Sequence, residues 1–166
     1  AQRPHLFRNL GSKKFEEISG QLGPAFAEAV VGRGAAYADV DNDGDLDLVV
    51  TNHGQTADLL RNDGGNRRPA LLVRAIGSRS NHGGIGARLR LTTGARTQVR
   101  EVRAGSGYLG QNDPRVHFGL GDAARIDRLE VRWPSGRIEI LTDLPANRIV
   151  TIREGEGLVG VSPLGG

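Results

Sequence analysis

The sequence predicts an all-β protein, in which a short repeat-like unit precedes an antiparallel β-sandwich. Three observations support this fold class. The 25 glycines of the 166-residue chain are scattered at turn-like intervals without a collagen period. Apolar and polar residues alternate in several segments, as in Leu89 and Leu91 against Arg88 and Arg90, and this period of two is typical of strands with one buried face. Turn signals such as Pro-Ser-Gly at residues 134–136 separate these segments.

Composition limits the classes of protein to which the chain can belong. Cysteine is absent, so disulfides and thiol chemistry are excluded. The sequence contains no apolar run of ~18 residues, so no membrane span is predicted. Methionine is also absent, even at position 1, as expected after signal-peptide removal or trimming of a longer chain. All but two of the 22 basic residues are arginines, the lysines being Lys13 and Lys14. Because the arginines are spread among predicted strands without a recognition helix, no nucleic-acid partner is expected.

The first segment, residues 1–66, contains a duplicated phrase. Residues 5–11 (HLFRNLG) resemble residues 58–64 (DLLRNDG), and each copy is an apolar run that ends in a turn signal. The spacing of about fifty residues is the scale of one β-propeller blade or a similar repeat. Between the copies, residues 24–30 allow a short helical turn, and residues 35–50 predict strands on either side of an acidic loop.

The second segment, residues 67–157, has the regular alternation expected of a sandwich. Trp133 alternates with Leu129 and Val131, so we expect its side chain in the core. We expect the tail, residues 158–166, to be flexible or to act as an assembly arm that needs a partner. The seven strands predicted in this segment cover residues 70–76, 86–93, 96–103, 115–118, 125–133, 137–141 and 148–153.

Residues 39–47 (DVDNDGDLD) are the most specific signal in the sequence. In a tight calcium loop, oxygen ligands at positions 1, 3 and 5 turn inward, a main-chain oxygen at position 7 adds another, and glycine at position 6 permits the bend. Position 12, where an EF-hand has a bidentate glutamate, is Val50, so a carboxylate at position 9 must close the site and a strand must follow. The pattern predicts Ca²⁺ rather than Mg²⁺, which keeps several of its own waters. The predicted ligands are the carboxylates of Asp39, Asp41, Asp43 and Asp47 and the main-chain oxygen of Asp45.

Two family resemblances cover most of the chain. Residues 34–50, flanked by the two turn phrases, resemble the FG-GAP or VCBS repeat of integrin-type propellers, which implies a partial propeller-like unit with a calcium-binding loop. Residues 80–155 resemble the ASPIC/UnbV domain. The matching phrases are residues 81–88 (NHGGIGAR), 105–113 (GSGYLGQND), 117–121 (HFGLG) and 131–136 (VRWPSG). The order of the two segments is similar to the C-terminal part of the cartilage acidic protein family, which implies extracellular calcium binding or adhesion.

The resemblance to a propeller also implies partners, because a propeller needs several blades and this chain carries little more than one. The open strand edges must be covered by the remainder of a longer propeller or by other copies of the chain. We therefore expect self-association through strand addition, as a homo-oligomer or a filament. A calcium loop of this type is filled at extracellular calcium concentrations, so we expect a secreted protein, with the cell surface or the periplasm as further options.

We expect a non-catalytic protein, because its candidate catalytic groups are few. The four histidines lie far apart and lack the spacing of a zinc site. Asp113 and Asp122 could pair for glycoside hydrolysis, but single acidic residues beside proline and glycine are more typical of turns. The alternative function is a carbohydrate-binding adhesin for acidic polysaccharide. Its candidate contacts are Tyr108, Gln111, Asn112 and Asp113, in and beside a glycine-rich loop.

Overall fold

The computed structural model describes residues 1–107 and 110–165 and confirms an all-β protein. Short 3-10 turns lie at Ser19–Gln21, Pro24–Phe26 and Gly65–Arg67. No helix in the described part of the chain has the length and apolar character needed to cross a membrane. The strands, in chain order, are β1 (Phe7–Gly11), β2 (Lys14–Glu17), β3 (Gly32–Ala38), β4 (Asp47–Asn52), β5 (Asp58–Leu60), β6 (Ala70–Ile76), β7 (Arg88–Thr93), β8 (Arg96–Glu101), β9 (Val116–Gly119), β10 (Arg125–Arg132), β11 (Ile138–Pro145), β12 (Arg148–Arg153) and β13 (Gly157–Pro163).

Two four-stranded sheets form the sandwich predicted for the second segment. One has the order β11-β10-β7-β8 and the other has the order β13-β12-β6-β9. Neighbouring strands are antiparallel except β6 and β12, which run parallel with Leu71 opposite Arg148. This pair departs from the predicted antiparallel arrangement because five strands separate its members in the sequence, and a long crossover permits parallel pairing.

The core of the sandwich follows from the alternation of side chains along its strands. Leu89 and Leu91 on β7 are fully buried, whereas the arginines beside them are exposed. Phe118 of the other sheet and Trp133 belong to the same buried cluster. The core position of Trp133 is confirmed, and its indole Nε1 donates a hydrogen bond to Glu139 at 2.8 Å.

The first unit has little core of its own. Strands β3, β4 and β5 form a three-stranded antiparallel sheet, and β1 pairs with β2 as a separate hairpin. This arrangement is an incomplete blade, since a propeller blade is a four-stranded sheet. Among the described residues, every buried apolar side chain lies at or after Ala70, whereas Phe7, Phe15 and Leu59 are more than half exposed. The first unit therefore depends on neighbours for much of its stability.

The tail, which we expected to be flexible or to act as an assembly arm, contributes the last strand of the second sheet, β13. β13 pairs antiparallel with β12 after a turn in which Gly155 and Gly157 adopt φ of 90° and 75°. Its glycines weaken the strand pattern in the sequence, which is why this strand was not predicted. After this strand, the main-chain N–H of Gly165 donates to the main-chain oxygen of Asn42 at 2.6 Å. An assembly role for β13 stays a prediction.

Most predicted strands of the sandwich have the expected positions. β6 and β12 have the predicted bounds, whereas β11 runs to Pro145 and so extends beyond its predicted end. The helical turn allowed at residues 24–30 is limited to the 3-10 turn Pro24–Phe26. The exact division of the chain at residues 66 and 157 stays a prediction.

Candidate metal centre

The β3–β4 hairpin sets the position of the acidic loop. Ala38 at the end of β3 pairs with Asp47 at the start of β4, so residues 39–46 form a closed connection between the two strands. Two positive φ angles, 60° at Asn42 and 100° at Gly44, turn the chain within this connection. Asparagine and glycine are the residues that tolerate this left-handed region best. The strand predicted to follow the loop is β4.

Asp39, Asp41 and Asp43 form the centre of the loop. One carboxylate oxygen from each lies within 4.8 Å of the other two, so three of the side chains predicted as ligands converge. Asp39 is 1% exposed, Asp43 is half-buried and Asp41 is exposed. The main-chain N–H groups of Asp43 and Gly44 donate to the two carboxylate oxygens of Asp39 at 3.1 Å. The buried carboxylate is thereby fixed, and the exposed one leaves the centre open to solvent.

The structure does not bring the carboxylates of Asp45 and Asp47 into this group of three. The two oxygens of Asp47 accept main-chain N–H bonds from Val40 at 3.0 Å and Asn62 at 2.9 Å. One oxygen of Asp45 accepts the two N–H groups of residues 65–66, at 2.9 and 3.2 Å. These buried carboxylates tie the turn after β5 to the loop. Metal ligation by Asp47 and by the main-chain oxygen of Asp45 stays a prediction.

Sequence reasoning missed the structural role of this turn, residues 61–66. Its Arg-Asn-x-Gly phrase predicts a turn but not the carboxylates that the turn contacts. A Cβ atom added at Gly65 would lie 2.7 Å from Cβ of Asp45 and 2.7 Å from Nδ2 of Asn62. An added Cβ at the neighbouring Gly64 would meet nothing within 4 Å. The second glycine of the pair is therefore the one that close approach to the loop requires.

The loop carries more negative charge than its hydrogen bonds balance. Burial raises the pKa of Asp39 above its ordinary value, against the opposing effects of the Gly44 N–H and the charge of Arg115. Burial, and then the charge of Asp43, raise the pKa of Asp45. The Oδ1 atom of Asp45 is buried and has no hydrogen-bond partner among the described residues. A cation would balance these charges, and carboxylate oxygens at alternate positions are a donor set that Ca²⁺ prefers, so the residues fit this ion.

The second unit holds the loop through side chains on and beside β9. The guanidinium of Arg115 donates to the main-chain oxygen of Asp39 at 2.8 Å and to Oδ1 of Asn42 at 2.5 Å. His117 is hydrogen-bonded through Nε2 to the main-chain oxygen of Gly44 at 2.9 Å. Nothing in the local sequence around Arg115 signals its contact with the loop. The candidate metal centre therefore lies at the junction of the two units.

The predicted sugar-contact residues have different positions in the structure. Tyr108 lies outside the described residues, and Gln111 is exposed. Oδ1 of Asn112 accepts the main-chain N–H of Tyr37 at 3.0 Å, and the N–H of Asp113 donates to the main-chain oxygen of Tyr37 at 3.0 Å. Asn112 and Asp113 therefore hold the outer edge of β3, part of an edge that we expected to be open. Sugar contact by any of these four residues stays a prediction.

Comparison with known proteins bears out both resemblances found in the sequence. Residues 77–159 match the ASPIC and UnbV family, and residues 1–50 match the FG-GAP-like repeat. The chain is similar to cartilage acidic protein 1 of Mus musculus and of Homo sapiens, each 32% identical over 139 residues, an alignment that covers 80% of this chain. It is 37% identical over 128 residues to cartilage acidic protein 1 of Xenopus tropicalis, which covers 71% of this chain. The chain spans about a fifth of the length of these relatives, 19–21%.

Proposed function

The chain belongs to the ASPIC and UnbV family, with an FG-GAP-like repeat before that domain, and we propose that it is an extracellular, calcium-stabilised adhesion module without catalytic activity. The observation that carries this proposal is the convergence of Asp39, Asp41 and Asp43 in a loop that both units hold. The name of the three relatives, cartilage acidic protein 1, supports an extracellular setting.

Calcium would be held by the three converging carboxylates, with the main-chain oxygen of Asp45 and water as further ligands. The contribution of the ion is electrostatic, since its positive charge would neutralise the buried carboxylates of Asp39 and Asp45. Because an unfolded chain offers no preformed site, the free energy of calcium binding adds to the free energy of unfolding. The ion is thus proposed to be structural.

The position of the loop extends this stabilising effect to the junction of the two units. Arg115 and His117 are hydrogen-bonded to the main-chain oxygens of Asp39 and Gly44. Asp39 and Gly44 belong to the loop that forms the centre. An ion that fixes the loop therefore also fixes the acceptors that the second unit contacts. We propose that calcium makes the repeat and the sandwich one rigid module.

The calcium affinity expected of such a loop supports an extracellular location. Calcium loops of extracellular modules bind with dissociation constants of roughly 10⁻⁴ to 10⁻³ M. Such a site is filled outside cells and empty in the cytosol, so a structural role for the ion requires export.

The exposed apolar side chains of the first unit support an assembly role. Phe7 and Phe15 of the β1–β2 hairpin are 59% and 63% exposed, and Leu59 on the edge strand β5 is 57% exposed. We propose that another blade covers them, from a longer polypeptide or from a second copy in a homo-oligomer or filament. Sedimentation velocity at rising protein concentration, with calcium present, distinguishes the two. Concentration-dependent association supports copies of this chain, and a monomer at high concentration contradicts self-assembly.

The test of the calcium role is thermal unfolding of the whole chain in calcium and in chelator, with calorimetric titration of the ion. At calcium tenfold above the dissociation constant, the expected gain is about 1.4 kcal/mol, or roughly 3–6 °C in Tm for a chain of this size. Magnesium at the same concentration is the control and is expected to give a smaller shift. A Tm that does not respond to calcium would contradict the proposal.

A further inference from the structure

A cleft between the two units is lined in part by arginines that the proposed function does not use. Its volume is about 330 Å³, and it continues into a shallower space of about 430 Å³, sizes typical of ligand sites. Tyr37 of β3 lines the cleft from the first unit, and Arg100 and Arg103, at the end of β8 and just beyond it, line it from the second. Arg88 of β7 lines the shallower part.

The cleft has a surplus of positive charge. Arg88, Arg100 and Arg103 are exposed, and within the described ranges 1–107 and 110–165 no carboxylate lies within 4.0 Å of their guanidinium groups. Glu101 contributes one negative charge to the same lining. The charge of Asp113, deeper in the cleft, is already paired with Arg115 at 2.5 Å.

The aromatic wall of the cleft is held in place by its main chain. The N–H and the oxygen of Tyr37 are bound by Asn112 and Asp113, and on the other side of the strand Tyr37 pairs with Leu48 of β4. The residue is 42% exposed, so the face of its ring is available. The main chain that carries the ring is already ordered and a tyrosine side chain has only two main torsions, so little conformational entropy is lost when a ligand packs against it.

We infer that this cleft binds an anionic saccharide, a sugar chain that carries carboxylate or sulfate groups. Guanidinium groups form bidentate hydrogen bonds with both anions, and an amphipathic ring such as that of Tyr37 packs against the apolar face of a sugar. The choice of a saccharide rests on the proposed extracellular function. A nucleic acid fits less well, since sites for single strands use successive aromatic rings and a continuous positive groove. Among the described residues, Tyr37 is the one tyrosine, phenylalanine or tryptophan of this lining, and the lining includes the negative charge of Glu101.

The binding test is calorimetric titration of the whole chain in millimolar calcium with four probes of similar length. The probes are a galacturonate tetramer, a heparin tetrasaccharide, the neutral cellotetraose and a short oligothymidylate. We expect at least one anionic saccharide to bind with a 1:1 ratio and at least tenfold more tightly than cellotetraose. The tighter of the two anionic probes identifies carboxylate or sulfate as the group recognised. Equal binding of cellotetraose, equal or tighter binding of oligothymidylate, or no binding of either anionic saccharide would overturn the inference.

Variants locate the site. Arg100→Ala with Arg103→Ala is expected to weaken binding at least tenfold. Arg74→Ala with Arg153→Ala removes the same charge from the other sheet and is expected to change binding less than twofold. Tyr37→Leu keeps every main-chain contact and is expected to weaken binding severalfold. Equal losses in both double variants, or no loss in the first one when its Tm in calcium is unchanged, would overturn the cleft as the site.

The same samples separate this inference from the proposed function. A chain that is stabilised by calcium but binds no anionic saccharide contradicts the cleft alone. A chain that binds the saccharide through Arg100 and Arg103 yet melts identically in calcium and in chelator contradicts the calcium role alone.

Discussion

The guanidinium of Arg115 lies 2.8 Å from the main-chain oxygen of Asp39, so a side chain of the sandwich contacts the first residue of the metal loop directly. The Arg115 side chain is only 20% exposed. Because water is largely excluded, these charge-assisted hydrogen bonds contribute more than a surface ion pair would. The shape of the loop therefore depends on the second unit as well as on its own hairpin.

Replacement of Arg115 by alanine is expected to lower the free energy of unfolding by about 2–3 kcal/mol, because it leaves the partly buried main-chain oxygen of Asp39 and carboxylate of Asp113 without their donor. Calcium affinity should fall as well, since the loop loses a support. The stability of the Arg115→Lys protein should lie between those of the wild type and of Arg115→Ala, because lysine keeps the charge but not the planar fork. Urea unfolding with and without calcium measures both effects.

The control for this variant is Arg125→Ala, which removes an exposed pair with Asp143. That change is expected to lower the free energy of unfolding much less, because solvent screens an exposed ion pair. An Arg115→Ala protein as stable as the Arg125→Ala protein would show that the junction does not support the loop.

Asp41 and Asp63 provide a matched test of the metal centre. Both carboxylates contact Arg61, at 3.8 and 2.6 Å, but only Asp41 belongs to the converging group. Asp41→Asn should weaken calcium binding about tenfold or more, with little effect on the stability of the calcium-free protein, because Asp41 is exposed. Asp63→Asn should leave calcium affinity nearly unchanged. Calorimetric titration of the ion decides the matter, and equal affinities of the two variants would contradict the assigned ligand set.

Gly65→Ala tests the contact between the turn and Asp45. The added Cβ would clash with Asp45 at 2.7 Å, so overpacking is expected to destabilise the protein by about 1–3 kcal/mol. Gly64→Ala is the control, since its added Cβ meets no atom within 4 Å. Thermal unfolding in calcium compares the two variants. Equal Tm values would show that the turn moves away from Asp45 without loss of stability, which would contradict the prediction.

A further buried carboxylate, Glu154, has a structural role within the sandwich. It is 2% exposed and accepts hydrogen bonds from the hydroxyl of Ser135 and from the three N–H groups of residues 78–80. Burial acts to raise the pKa of Glu154, but these hydrogen bonds outweigh it and hold the pKa at about 2, below its ordinary value of 4.5. Between these values the folded state binds fewer protons than the unfolded state.

Stability contributed by Glu154 is therefore expected to be fully present above pH 4.5 and to be lost as the pH falls towards 2. Glu154→Gln should be less stable at neutral pH and should lose less stability on acidification across that interval. Asp143→Asn is the control, because the pKa of Asp143 is also lowered, by Arg125, but its side chain is exposed. Urea unfolding from pH 7 to 2 is the measurement, and parallel pH profiles for wild type and Glu154→Gln would contradict the prediction.

Features encoded over a few neighbouring residues could be predicted from the sequence. The alternation around Leu89 locates a strand, and the spacing of Asp39, Asp41 and Asp43 brings three carboxylates together, because a tight loop needs no distant partner. Long-range contacts were missed. Arg115 and Asp39 are 76 positions apart, and their hydrogen bond depends on how two separate units meet.

The same limit explains the other errors in prediction. The pattern of a strand does not specify its partner, so the parallel pairing of β6 with β12 was not expected. The sequence likewise shows that Asp47 is acidic, but not that both of its oxygens accept main-chain N–H groups.

The placement of every described buried apolar side chain at or after Ala70 has a mechanical consequence. Under tension applied along the chain, the segment before Ala70 resists extension through main-chain pairing, the acidic loop and the hydrogen bonds that the second unit makes to β3 and the loop. It has no buried apolar core to break, whereas extension of the sandwich exposes one. The weaker segment yields first. Under the proposed calcium binding, the force at which this segment extends rises with the concentration of dissolved calcium.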